Sequence, residues 1–167
     1  MNTSDGGVPK LPIPEGRVGL NGVAGDRQRD LRFHGGPGRA VCLYSLEVIQ
    51  ALQAEGHPIG IGSAGENLTL SGVDWALMVP GRRLRVGTAL LELTMYAHPC
   101  SNLVPYFRSG DFTRISQKVH PGWGRVYARV LEEGDVRAGD PVELSNGPPT
   151  SEASMSRSSV SGRIRDP

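Results

Sequence analysis

The chain is 167 residues long and carries 18 Lys and Arg against 17 Asp and Glu, a formal net charge of +1. That length suits a single domain whose core needs no covalent staples, and the near balance of charge excludes a whole-protein field aimed at nucleic acid or an anionic membrane. Two widely separated cysteines cannot build a secreted disulfide framework, and no apolar stretch reaches the roughly 18 residues of a membrane helix.

The first residues, Met1-Asn2-Thr3-Ser4-Asp5-Gly6, show no basic-then-apolar leader pattern, so the expected compartment is the reducing cytoplasm. Glycine (23) and proline (13) are abundant while helical periodicities are few, a balance that predicts a mainly β domain. In chain order, Arg39 to Ser45 reads as a buried strand containing Cys42. Ser45 then caps a helix whose Leu46, Ile49 and Leu52 recur near helical spacing, and Gly56 ends it. Leu68-Thr69-Leu70 is a short strand. Arg83 to Val86 and Ala89 to Tyr96, separated by Gly87-Thr88, predict a hairpin.

Further on, Gly124 to Leu131 alternates with Val126, Ala128 and Val130 on one face, and Pro141 to Leu144 supplies a last strand. Leu84-Arg85-Val86-Gly87 leading into Leu91-Glu92-Leu93 is echoed by Val136-Arg137-Ala138-Gly139 leading into Val142-Glu143-Leu144, which implies two similar hairpins. The echo is too short for a solenoid or propeller and fits a small, partly closed β-barrel. From Ser145 the chain turns Ser-rich, with Pro148-Pro149 and scattered Arg, and reads as a disordered tail with no assigned function. His57 and His120 each precede a proline and read as exposed loop residues.

Three constellations can carry chemistry. In His34-Gly35-Gly36-Pro37-Gly38-Arg39, glycines let backbone N–H groups cradle an anion and Arg39 adds a guanidinium suited to phosphate, although a flexible turn with a salt-bridging Arg reads equally well. In Gly62-Ser63-Ala64-Gly65-Glu66-Asn67-Leu68, Glu66 and Asn67 can both face a cavity, and a plain turn in which Asn67 satisfies local backbone is the simpler alternative. The third is Cys100, in Tyr96-Ala97-His98-Pro99-Cys100-Ser101 at the end of the strongest alternating run. Its thiolate is a nucleophile or soft-metal ligand, whereas a lone cysteine is more commonly a small buried hydrophobe. Neither an HExxH nor a paired CxxC spacing supports structural zinc, and no GxSxG elbow is present.

Taken in order, Gly22-Val23-Ala24-Gly25-Asp26-Arg27-Gln28, His34-Gly35-Gly36 through Arg39-Ala40-Val41, Gly65-Glu66-Asn67-Leu68, Pro99-Cys100 and Gly139-Asp140 resemble the MOSC domain family, the C-terminal domain of molybdenum cofactor sulfurases. The likeness runs from about Val8 to Leu144. The expected organisation is therefore a MOSC domain over residues 1–145 followed by the tail, residues 146–167. The resemblance implies a partly closed β-barrel whose cleft binds molybdenum cofactor (molybdopterin). Cys100 is the implied metal ligand or sulfur carrier, with Gly35, Gly36, Arg39, Glu66 and Asn67 binding the cofactor. His34 and Asp26 are assigned a proton-handling role beside Cys100.

Many members place Arg shortly before the Pro-Cys pair where this chain has Ala97-His98, so a substrate does not carry over. The chain reads as a stand-alone form without an aminotransferase-like module, so pyridoxal phosphate is not expected. The implied function is reduction of a small N-hydroxylated substrate with electrons from a separate donor protein. The alternative is a persulfide or molybdenum-cofactor carrier that acts through Cys100, served by a sulfur-donor protein, without turnover. Neither nucleic acid nor membrane is an expected partner, and the sequence leaves the oligomeric state open.

Overall fold

The computed structural model of the protein describes residues 1–27 and 35–146; His34 and the expected tail from residue 147 onward lie outside them. The alternation in Ala89–Tyr96 does what period-two patterning requires, burying Ala89, Leu91 and Leu93 on one face. This strand, β8, follows β7 (Arg83–Val86) in the predicted hairpin, with Arg83 opposite Glu92 and Val86 opposite Ala89. Gly87 makes the turn at φ 54°, and a Cβ there would sit 2.5 Å from the Asp135 carbonyl oxygen.

Ten further strands and helices build the fold. They are β1 (Asn2–Thr3), β2 (Leu11–Pro12), β3 (Glu15–Gly19), β4 (Gly22–Val23), β5 (Val41–Ser45), α1 (Leu46–Ala54), β6 (Leu68–Leu70), β9 (Val126–Glu132), β10 (Gly134–Arg137) and β11 (Val142–Ser145). One six-stranded sheet runs β11-β7-β8-β9-β5-β6, a three-stranded sheet runs β10-β3-β4, and β1 pairs with β2. Among the described strands β5 and β6 pair in parallel and the others antiparallel. Val18, Val23 and Val136 of the small sheet share one core with Leu43, Leu84, Leu91, Leu93, Val126 and Ala128 of the large one, giving the predicted mainly β, partly closed barrel. Each such Leu or Val stabilises the fold by about 1.5–3 kcal/mol through burial.

Between β5 and β6 the chain forms α1. Ser45 Oγ accepts the Val48 N–H at 3.2 Å, Ile49 and Leu52 are buried, and Gly56 follows the helix at φ 85°. These side chains join Tyr44, Ile59, Leu103, Phe107 and Ile115 in a second core. Short 3-10 turns follow β8, from Ser101 to Tyr106 and from Phe112 to Ile115, and cover that core. On β8 the pairing with β9 shifts between Leu93 and Met95, leaving Thr94 as an extra residue.

Two expectations need correction. The second echo segment is not a hairpin: β10 pairs with β3 and β11 pairs with β7. The cause lies at the turn, where Ala138 donates to the Pro14 carbonyl and Asp140 Oδ2 accepts the Arg137 N–H, turning the chain from one sheet toward the other. His57 is not an exposed loop residue either. Its side chain is 11% exposed, lies with its ring centre 5.1 Å from that of Phe107, and accepts the Arg108 N–H through Nδ1 at 3.1 Å.

Candidate functional site

The end of β8, the start of β5 and the loop before β6 meet around a cleft of about 640 Å³. Its lining includes Gly35, Arg39, Asn67 and Cys100, four of the residues singled out from sequence and drawn from three separate motifs. Lys10, Arg27, Arg125 and exposed His98 line it too, and neither Asp nor Glu does so among the described residues. Met95, Tyr96, Leu103 and Tyr127 give the wall an apolar part. The result is a half-apolar cleft with a cationic lining, a form suited to a planar organic ligand that carries negative charge.

Cys100 is half-buried, in extended conformation at φ −137°, directly after His98-Pro99. Its carbonyl accepts the Leu103 N–H, so the following 3-10 turn fixes its backbone. Cys42, from the neighbouring strand β5, reaches the same cleft. Burial pushes its thiol up to about 11, outweighing the opposing field of Arg125, so Cys42 stays protonated at neutral pH. The two cysteines share a cleft but not a chemistry.

Asn67 ties the floor together. Its Oδ1 accepts the Cys42 N–H at 3.1 Å, its own N–H donates to the Cys42 carbonyl at 2.7 Å, and its Nδ2 donates to Asp26 Oδ2 at 2.8 Å. Asp26 lies behind this wall with a side chain only 3% exposed, accepting the Ser4 N–H at 2.9 Å and forming an ion pair with Lys10. Its carboxylate is therefore engaged by three donors. Gly36 takes φ 78° beside the cleft without lining it, and the structure gives Gly35 φ 98°.

Glu66 departs from the expectation that it faces the cavity. It is fully buried behind the wall, where Oε1 accepts the Gly62 N–H at 2.6 Å and the Thr69 hydroxyl at 3.1 Å and Oε2 has no partner among the described residues. Burial, more than any other influence, holds its carboxyl above the usual range. The physical reason is local hydrogen bonding: the Gly62 N–H and the Thr69 hydroxyl draw the Glu66 carboxyl behind the wall, while Asn67 turns to the cleft. Gly62 permits this packing because its φ of 80° brings it against Lys10, whose carbonyl oxygen would lie 1.9 Å from a Cβ.

Sequence reasoning passed over Lys10 and Arg125. Lys10 reads as a surface residue in a Pro-rich stretch, and nothing local marks its partner. Arg125 is only 6% exposed; its Nη1 donates to the Ala64 carbonyl and its Nη2 to the His98 carbonyl at 3.2 Å, while the Ala97 N–H donates to the Arg125 carbonyl at 2.9 Å. The segment that carries Cys100 thus hangs on Arg125. A clue existed in the guanidinium at the mouth of an alternating buried strand, but it reads equally as the solvent face.

Comparison with known proteins agrees with this geometry. The protein YflK of Bacillus subtilis strain 168 is 34% identical over 121 residues, 72% of this chain and 54% of that protein. YiiM of Escherichia coli K12 is 30% identical over 128 residues, 74% of this chain and 56% of that one. The crystal structure of YiiM from Geobacillus stearothermophilus matches with a TM-score of 0.67 at 28% identity, covering 84% of this chain and 65% of the other. That of YiiM from Escherichia coli gives 0.64 at 26% identity, covering 84% and 67%. The chain spans about half the length of the curated relatives it matches. With the MOSC domain matching residues 30–143 and a mainly β, partly closed barrel, the chain belongs to the MOSC domain family.

Proposed function

We propose that the cleft binds molybdenum cofactor and that the chain, with Cys100 as the protein's ligand to the metal, reduces N-hydroxylated compounds using electrons from a separate protein. The observation that carries this reading is the meeting of Cys100, Asn67, Arg39 and Gly35 on one cleft whose lining holds four Lys and Arg side chains and, among the described residues, no carboxylate. The donor set fits the group: one half-buried thiol is a soft ligand for a metal that arrives on its own organic carrier, and the cations suit that carrier's phosphate.

When bound, the cofactor supplies the electron-transfer chemistry. The chain's residues bind and orient. Arg39 and the backbone at Gly35, which line the cleft, would hold the cofactor's phosphate; Asn67 fixes the strand that bears Cys42, and Arg125 holds the His98 carbonyl two residues before Cys100. Asp26, engaged by Ser4, Lys10 and Asn67, positions Asn67 in this reading. Cleaving an N–O bond consumes protons. His34 keeps that role from the sequence and lies outside the described residues, while exposed His98 is a second imidazole at the cleft.

The test is elemental analysis of the full chain made in a host that synthesises the cofactor, beside the Cys100→Ser variant. Bound molybdenum and reduction of a hydroxylaminopurine, both lost in the variant, are expected. Equal metal and equal activity in both proteins would overturn the reading. A persulfide on Cys100 after incubation with a cysteine desulfurase, without reductase activity, would replace it with the carrier function.

A further inference from the structure

The two buried cations of the cleft differ in how their charge is balanced. Lys10 has its carboxylate in Asp26. Arg125 has none among the described residues: its side chain bonds there to two backbone carbonyls, of Ala64 and His98, and its buried Nε–H has no partner among them. The carboxyl that its field reaches, Glu66, makes no ion pair with it among the described residues and is biased by burial toward its neutral form. A guanidinium carries five N–H donors, and a buried charge without a counter-charge is costly unless something anionic completes it.

We propose that Arg125 forms an oxoanion-binding site at the Cys100 side of the cleft, where the phosphate or carboxylate group of a ligand supplies the missing counter-charge. The site is built rather than incidental. Arg125 is more than nine-tenths buried, it lines the cleft, and its bonds to Ala64 and His98 join the Gly65-Glu66-Asn67 loop to the Pro99-Cys100 segment. An anion docked there shares the cleft with Cys100. This inference does not depend on molybdenum, because the charge imbalance belongs to the chain itself.

Inorganic phosphate is the probe, applied to the full chain and read by calorimetric titration and by alkylation of Cys100 with iodoacetamide. Phosphate should bind and slow the alkylation, and Arg125→Gln should weaken binding by about tenfold or more, as expected for loss of a charge-assisted donor. Arg125→Lys, which keeps the charge, should recover part of it. Wild-type affinity in a folded Arg125→Gln variant would overturn the proposal. Should that variant fail to fold, alkylation of the wild type still decides, since an unchanged rate at saturating phosphate would place the anion elsewhere.

Chain from a host that makes the cofactor, compared with chain from one that does not, separates the sources of the anion. A phosphate response lost on loading assigns the site to the cofactor's phosphate, and a retained response assigns it to a substrate. A missing metal with an intact phosphate response would sink the molybdenum reading and leave this one standing.

Discussion

Replacing Asp26 with Ala should destabilise the protein more than any other single change at the cleft wall. The substitution strands the Lys10 ammonium, whose side chain is 8% exposed, and removes the acceptor of the Ser4 N–H and the Asn67 amide. Breaking a buried ion pair by deleting one partner costs about 3–5 kcal/mol, because the remaining charge stays buried and unpaired. Set against a typical total of about 5–15 kcal/mol, that is enough to move a folding transition well down in denaturant. The assay is urea unfolding of the full chain followed by the fluorescence of Trp75 and Trp123. The second arm is Lys10→Met in the Asp26→Ala background, which removes the stranded charge and should restore about half of the loss or more. A cost under about 1 kcal/mol, or a double variant no more stable than Asp26→Ala, would refute the account of a charge-balanced wall.

Glu66 gives a pH prediction. Its folded pKa is raised, so the folded state holds this proton more tightly than the unfolded chain does; the stability it contributes is complete below the ordinary carboxylate range and is lost as pH rises through the folded value. Glu66→Gln should remove that decline, and melting temperatures of both proteins measured from acid to neutral pH check it, with parallel curves as the contrary result. The two cysteines should separate by reactivity. At pH 8, iodoacetamide should add one group to the native chain, at Cys100, and a second, at Cys42, only in urea, since burial keeps the Cys42 thiol at about 11. Intact mass reads both counts, and rapid double labelling of the native chain would contradict the burial of Cys42.

The elements that sequence made legible are those whose signal is local. The hairpin of β7 and β8 shows its alternation within one stretch, and α1 shows its cap, its apolar spacing and its terminal glycine. The strands β1 to β4 carry no such signal. β1 and β2 are two residues long, and β3 is a strand because β10, far along the chain, pairs with it from Gly134 opposite Val18 to Arg137 opposite Glu15. Partner choice of that kind is a tertiary property, and the same applies to the echo that suggested a second hairpin.

The site divides the same way. Cys100, Arg39 and Asn67 stand in loops rich in glycine or proline that mark themselves, and all three reach the cleft. Lys10 and Arg125 gain their meaning from residues remote in sequence, Asp26 for one, Ala64 and His98 for the other. Glu66 departs from the motif's promise because the Gly62 N–H and the Thr69 hydroxyl, which the motif does not name, draw its carboxyl away from the cleft. The N-terminal segment adds a related point: Gly7, Val8 and Lys10 line the cleft although they precede the matched domain, residues 30–143.

Thr94, the extra residue on β8, has a wider bearing. Up to Leu93 the odd-numbered side chains of this strand are buried; beyond Thr94, Met95 is 39% exposed and lines the cleft. The inserted residue turns Met95 outward where plain alternation would bury it, and its hydroxyl is anchored to the Gly38 carbonyl at 2.6 Å. The boundary between structure and site on this strand is thus a matter of counting rather than of chemistry. A deletion at Thr94 would leave every functional side chain present and turn the segment leading to Cys100 toward the wrong face, so in this fold length at one position is guarded as closely as any ligand.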